Sequence, residues 1–154
     1  MRKAVLVDLD NTLLSKTPEE EIPGFTRYSP EYWQKWYEMT MTAQALPKGV
    51  EKFWELKTAG YQMIAVTARG SAGLGRPLTI KKLREIGVWK GLDGLWMRPI
   101  NMEGMAPSEF KDLIIPRVER ARGVRFAIAM EDTNHAVMRR HGIKVIDANE
   151  WNTL

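Results

Sequence analysis

The sequence has no cysteine, two histidines (His135 and His141), and no apolar run near the roughly 18 to 20 residues that cross a bilayer. The first absence excludes disulfides, thiolate nucleophiles and cysteine-ligated zinc. The second leaves too few imidazoles for a histidine-built site, so any metal must sit on oxygen. Neither a GxGxxG fingerprint nor a P-loop GxxxxGK[ST] occurs, and nothing marks a kinase site. The start, Met1-Arg2-Lys3 followed by a short apolar stretch and Asp8, lacks a secretory layout and reads as cytoplasmic.

What is present fits one globular domain spanning residues 1–154. Hydrophobic residues make up 44% and charged residues 27% of the chain, the mix of a packed core and not of a disordered segment. Lys+Arg 23 against Asp+Glu 19 gives a net charge of +4. Residues 1–60 carry 8 basic and 9 acidic groups, and residues 61–154 carry 15 and 10, so the later part favours anionic partners. A mildly basic surface is also common in proteins that bind no polyanion.

Ala4-Val5-Leu6-Val7 is a continuous apolar run ending in Asp8, the pattern of a strand buried on both faces of a parallel sheet. Met63–Val66 ending in Thr67, Phe126–Met130 ending in Glu131-Asp132, and Ile143–Ile146 ending in Asp147 repeat it, with a weaker strand at Gly94–Met97. Helical spacing follows Pro47 through Val50, Phe53, Trp54 and Leu56-Lys57 to a stop at Gly60, and runs from Leu78 to Ile86 before Gly87. Ser108 suits the cap of a helix through Phe110, Leu113 and Ile114, kinked or restarted at Pro116, and Thr133–His141 ends at Gly142. Alternation of this kind predicts an α/β fold, a Rossmann-like parallel sheet wrapped by helices, with ligands beyond the carboxyl ends of the strands. That rule gathers Asp8, Asp10, Thr67, Arg69, Glu131 and Asp132 on one rim. Residues 14–46 read as a small helical cap inserted after the first strand, opened at Ser29-Pro30-Glu31 and carrying Tyr32, Trp33, Trp36 and Tyr37 at helical spacing. The Trp151 tail either closes over the sheet or lies free.

Asp8-x-Asp10 puts two carboxylates together where a buried strand runs out, and like charges there need a cation, for which oxygen-seeking Mg²⁺ is suited. Asp8-x-Asp10-Asn11-Thr12-Leu13, Thr67-Ala68-Arg69, Lys111 and Glu131-Asp132 resemble, in order and spacing, the haloacid dehalogenase (HAD) superfamily of phosphotransferases. The resemblance implies an HAD fold and assigns catalytic roles to four residues. Asp8 attacks phosphorus, Asp10 is general acid and base, and Thr67 and Lys111 hold the transferring group. It further implies substrate contacts at Asn11, Thr12, Ala68 and Arg69, and Mg²⁺ on Asp8, Asp10, Asp132 and Glu131, Asp132 aligning better than Glu131 with the direct ligand. Asn11 stands where many relatives have Gly. The physical case is parallel: a carboxylate nucleophile splits hydrolysis of an inert ester into two displacements, and a second carboxylate shuttles the proton.

Within the superfamily, Thr67-Ala68-Arg69-Gly70, Thr79–Leu83 and Glu131–Asn134 with Val137–Ile143 resemble the phosphatase half of bacteriophage polynucleotide kinase-phosphatases and its free-standing relatives. That implies a 3′-phosphatase on nucleic-acid ends. Two features depart: Pro107 stands where the relatives carry an acidic residue four positions before the lysine, and Arg27 is the only cap arginine. The expected partner is a phosphorylated substrate, with nucleic-acid 3′ ends the implied class and no membrane. A nucleotidase or other small-molecule phosphatase, and a non-catalytic module binding nucleic acid through Arg117, Arg120, Arg122 and Arg125, remain as alternatives. The cap aromatics serve either base stacking or packing.

Overall fold

The computed structural model describes residues 1–15 and 29–152. In chain order the elements are β1 (Arg2–Val7), α1 (Pro30–Thr40), α2 (Pro47–Thr58), β2 (Gln62–Gly70), α3 (Gly75–Glu85), β3 (Gly94–Arg98), α4 (Pro107–Arg122), β4 (Val124–Glu131), α5 (His135–Arg140) and β5 (Lys144–Asp147). All strand pairs are parallel, in the order β3-β2-β1-β4-β5.

β1 explains why its sequence is apolar without alternation. Val5 and Val7 face one layer with Phe53 of α2 and Leu83 of α3, while Ala4 and Leu6 face the other with Phe110, Ile115 and Val118 of α4. A central strand covered on both sides needs an apolar side chain at every position. The chain adds β2 and β3 on one side of β1, then returns to add β4 and β5 on the other. The connections leaving β1 and β4 therefore part at this reversal and leave a crevice at the carboxyl end of β1. Val7 is level with both Ala65 and Met130, which brings Asp8, Thr67 and Glu131 to nearly the same height.

Gly60, Gly87 and Gly142 follow α2, α3 and α5 with φ of +102°, +82° and +73°, as the stop signals predicted. Three local expectations differ. Ser108 does not cap α4; Ala106 takes that position and Pro107 starts the helix, where a missing N–H costs nothing. Pro116 does not interrupt α4, because the flanking Ile114, Ile115 and Val118 are buried and hold the helix on the sheet. α5 begins only at His135, since Asn134 adopts a left-handed conformation with φ 58°. Trp151 closes inward, donating from Nε1 to the Thr12 carbonyl at 2.8 Å. Among the described residues no helix is long and apolar enough to cross a membrane.

α2 approaches the loop after β1 so closely that a Cβ on Gly49 would lie 2.1 Å from the Thr12 carbonyl oxygen. Gly49→Ala is expected to cost about 1–3 kcal/mol by overpacking. Gly104→Ala, whose Cβ would meet nothing within 4 Å, is expected to stay within about 0.5 kcal/mol of wild type. Urea denaturation of the two variants checks both.

Candidate active site

Asp8 is the first residue past β1, Glu131 the last of β4 and Asp132 the next. Thr67 lies near the end of β2, where Thr67 pairs with Met97 but Gly70 pairs with Arg98, so Ala68 and Arg69 bulge out of the ladder. A bulge re-aims side chains beside a site. Lys111 reaches the rim from the second turn of α4. These residues, with Asp10, Asn11, Trp36, Arg98, Pro107, Thr133 and Asn134, line a cavity of about 230 Å³.

At its floor Asp8 is fixed from two sides. Thr12 Oγ1 donates to Oδ2 at 3.0 Å, and Lys111 Nζ donates to Oδ1 at 2.9 Å. Lys111 Nζ also donates to Glu131 Oε2 at 2.6 Å. Glu131 is fully buried and its other oxygen, Oε1, has no partner. Burial pushes the Asp8 carboxyl up against the opposing pull of Lys111, and Asp132 pushes the same way. Burial, then the charge of Asp8, raises Glu131 well above the ordinary carboxylate range. Lys111 moves up from its usual value, because the two carboxylates outweigh its own desolvation.

Oxygens of Asp8, Glu131 and Asp132 lie within 4.8 Å of one another. Three carboxylates face one ammonium there, and one buried oxygen lacks any donor. This donor set fits a hard divalent cation, which takes carboxylate oxygens and retains waters. The Asp10 carboxylate stands outside the trio. Its Oδ1 and Oδ2 accept from Arg69 Nη2 at 2.6 Å and Nε at 2.9 Å.

That pairing revises the expectation of an open arginine fork. Arg69 is buried, spends two donors on Asp10, reaches Thr79 Oγ1 with Nη1 at 3.3 Å, and lies 5.3 Å from the Trp36 ring centroid. Its guanidinium is satisfied by the protein itself. Thr67 Oγ1 accepts from the Arg69 backbone N–H at 3.1 Å, which leaves the Thr67 hydroxyl proton for another acceptor. Asn11 has φ 63°, and this explains the glycine of many relatives: the position is left-handed, where Gly is free and Asn is tolerated. Ala68 lines the cavity beside Arg69. His135 places Nε2 3.0 Å from the Glu131 carbonyl oxygen, a structural contact.

The cap aromatics split. Tyr32 and Trp36 are buried, and Trp36 forms part of the cavity wall. The side chains of Trp33 and Tyr37, and Arg27, lie outside the described residues. The arginines at the end of α4 and the start of β4 are far from the rim. Arg125 is level with Lys3 at the start of the sheet, Arg120 and Arg125 line a separate cavity with Met1, and Arg122 donates to the Asp93 carbonyl. A β-strand the length of β4 separates that end from the site, roughly 25 Å. Arg98 escaped the sequence reading, although the strand-end rule that found Thr67 and Glu131 points to it at the end of β3.

The raised carboxyls of Asp8 and Glu131 have a definite sign. Their contribution to stability is full below the ordinary values of 3.8 and 4.5 and is lost as pH rises through the folded-state values. In EDTA, wild type is expected to lose more thermal stability between about pH 5 and pH 8 than Glu131→Gln. Magnesium is expected to raise Tm more at about pH 8 than at about pH 5, where protons compete for the same oxygens. Circular dichroism melts of the two proteins, with and without Mg²⁺, check both expectations.

Comparison with known proteins agrees with this geometry. Among solved structures, the Pnkp1/Rnl/Hen1 RNA repair complex matches with a TM-score of 0.69 at 19% identity, over 96% of this chain and 42% of that one. The class C acid phosphatase from Bacillus anthracis, solved with tungstate bound, matches with a TM-score of 0.63 at 16% identity, over 95% and 65% of the two chains. A magnesium-bound HAD hydrolase from Bacillus subtilis matches with a TM-score of 0.60 at 13% identity, over 94% and 85%. At these identities the likeness is one of fold, and the chain spans less than half the length of the Pnkp1-complex chain. No curated protein matches the sequence. The family model described as HAD superfamily, subfamily IIIB (acid phosphatase), matches residues 1–121, from β1 through α4 and therefore across Asp8, Thr67 and Lys111. A match of that extent fixes the lineage: the chain belongs to the subfamily IIIB acid phosphatases of the HAD superfamily and is a phosphoric monoester hydrolase.

Proposed function

We propose that this phosphatase is Mg²⁺-dependent, works through an aspartyl phosphate on Asp8, and releases phosphate from nucleic-acid 3′ ends. The observation that carries the chemistry is the fixing of Asp8 between Lys111 and Thr12, with Asp10 at the same rim. An Asp8 oxygen attacks phosphorus, the ester P–O bond breaks, and the leaving alkoxide takes a proton from Asp10. A water then gives its proton to Asp10 and attacks the aspartyl phosphate, restoring Asp8 and freeing inorganic phosphate. Lys111 and the Thr67 hydroxyl face the equatorial oxygens as charge develops. Phosphoryl oxygens offer the Arg69 fork a second partner, and that exchange releases Asp10 for proton transfer. When held by Asp8, Asp132 and Glu131, Mg²⁺ supplies the charge that offsets repulsion between carboxylate and phosphate.

Three features support a 3′ end as substrate. The sequence resembles polynucleotide 3′-phosphatases at the three segments above. The fold matches a protein of an RNA repair complex. The described part of the 14–46 insertion amounts to the single helix α1, a minimal cap on one domain of residues 1–154, and a small cap leaves room for a polymer at the rim. One observation favours the second reading, a nucleotidase: a cavity of about 230 Å³ takes the end of a substrate, so most of a polymer must lie outside it.

Phosphate release from a 3′-phosphorylated oligonucleotide, a 5′-phosphorylated one, a 3′-mononucleotide and a 5′-mononucleotide, with Mg²⁺ and with EDTA, separates the readings. The 3′ oligonucleotide is expected to react fastest, and only with Mg²⁺; faster turnover of mononucleotides would replace end processing by a nucleotidase. Asp8→Asn is expected to bring turnover to background with an unchanged circular dichroism spectrum. Asp10→Asn is expected to lower kcat by about 10²–10⁴-fold. Turnover surviving the Asp8 change would rule out the covalent route.

A further inference from the structure

The cations around the cavity are not equivalent. Lys111 is paired with Asp8 and Glu131, and Arg69 with Asp10. Arg98, at the end of β3, lines the same cavity and has no carboxylate at ion-pair distance among the described residues. Its Nη1 donates to the Met105 carbonyl at 2.8 Å, while its Nε is buried with no acceptor. The fork is thus anchored by one corner, and among the described residues Nε and Nη2 have no acceptor. Its backbone is fixed as well, because Ser71 donates to the Arg98 carbonyl from N at 3.0 Å and from Oγ at 3.2 Å. Pro107 on the nearby wall brings no charge.

A half-buried guanidinium with an unsatisfied donor and, among the described residues, no counter-ion suits an oxyanion, since an orphaned buried donor carries a desolvation cost that an acceptor removes. Position tells which oxyanion. β3 lies two strands from β1, so Arg98 is displaced laterally from Asp8 by about 10 Å, twice the spacing between neighbouring strands. The transferring group belongs at Asp8, within reach of Lys111 and Thr67. Arg98 stands one strand beyond Thr67, on the side away from Glu131 and Asp132.

We infer that Arg98 binds a second phosphate of the substrate, the internucleotide phosphate on the 5′ side of the terminal nucleotide, and so sets the preference for a polymer end over a mononucleotide. This deepens the 3′-end reading and rests on it. The substrate lies along the rim from β1 towards β3, its reactive end over the acidic side and its next phosphate on the basic side. Arg98 is a binding residue in this scheme and takes no part in bond making.

The experiment compares kcat/KM on a 3′-phosphorylated dinucleotide and on a nucleoside 3′-monophosphate for wild type, Arg98→Gln and Arg98→Lys. Thermal melts show whether each variant is folded, and Arg98→Lys serves if the loss of the Met105 contact unfolds Arg98→Gln. One charge-assisted contact corresponds to about a tenfold or larger effect, so the dinucleotide preference is expected to fall about tenfold in Arg98→Gln, through KM. Arg98→Lys, which keeps the charge without the fork, is expected to fall between. The salt slope of KM for the dinucleotide is expected to drop by about one. An unchanged preference overturns the inference, and so does an equal loss of kcat on both substrates, which would place Arg98 on the transferring group. If wild type leaves both untouched yet hydrolyses p-nitrophenyl phosphate, the 3′-end reading fails separately. Arg98 is then read from inhibition of that reaction by a nucleoside 3′,5′-bisphosphate relative to the 3′-monophosphate: a tenfold relative weakening in Arg98→Gln upholds a second-phosphate site, and an equal change overturns it.

Discussion

Burial of like charge around a single ammonium is the constraint from which the site follows. Asp8 and Glu131 share Lys111 Nζ at 2.9 and 2.6 Å, all three nearly excluded from solvent, with Asp132 close by. With both carboxyls ionised, one ammonium does not balance them, and burial raises both. The arrangement is held because the sheet places two strand ends level, and because α4 buries Phe110, Ile114, Ile115 and Val118 to bring Lys111 between them. The stability gained from the apolar layers opposes the cost of confining charge, and the donor set that remains fits a divalent cation.

Arg69 and Asp10 form a separate pair at the mouth, so the rim holds ion pairs at two depths. The deep pair fixes the candidate nucleophile. The shallower one, with Asp10 about one-third exposed, involves a carboxylate that can change partner without unfolding anything around it. In the proposed reaction, proton delivery falls to the more exposed carboxylate, where rearrangement disturbs fewer buried groups.

Much of this was legible in the sequence because the relevant signals are local. The run Ala4–Val7 announces a strand covered on both faces, and strand ends in an alternating α/β chain mark the rim, which is enough to gather Asp8, Thr67 and Glu131. The same rule gathers Asp10, Arg69 and Asp132, while Lys111 came from the resemblance. The rest depended on pairings that no local pattern encodes. The engagement of Arg69 by Asp10 joins residues 59 apart and depends on a bulge at Ala68 and Arg69. Pro116 misled because its cost is local while the packing that outweighs it is tertiary. The arginines of the segment 117–125 look like one basic patch in sequence, yet the antiparallel return of α4 carries Arg120 and Arg122 to the amino-terminal end of the sheet. Arg98 was missed because its strand, Gly94–Arg98, is a short edge strand with a weak pattern.

The contact from Trp151 to the Thr12 carbonyl bridges 139 positions of sequence. Thr12 holds Asp8 through its hydroxyl, so the loop that aims the candidate nucleophile is locked by residues beyond the last strand. Closing a loop of that length costs chain entropy, as pairing β1 with β4 does over a similar separation. On a chain emerging from the ribosome, the loop that aims Asp8 lacks this brace until Trp151 has been made and has docked.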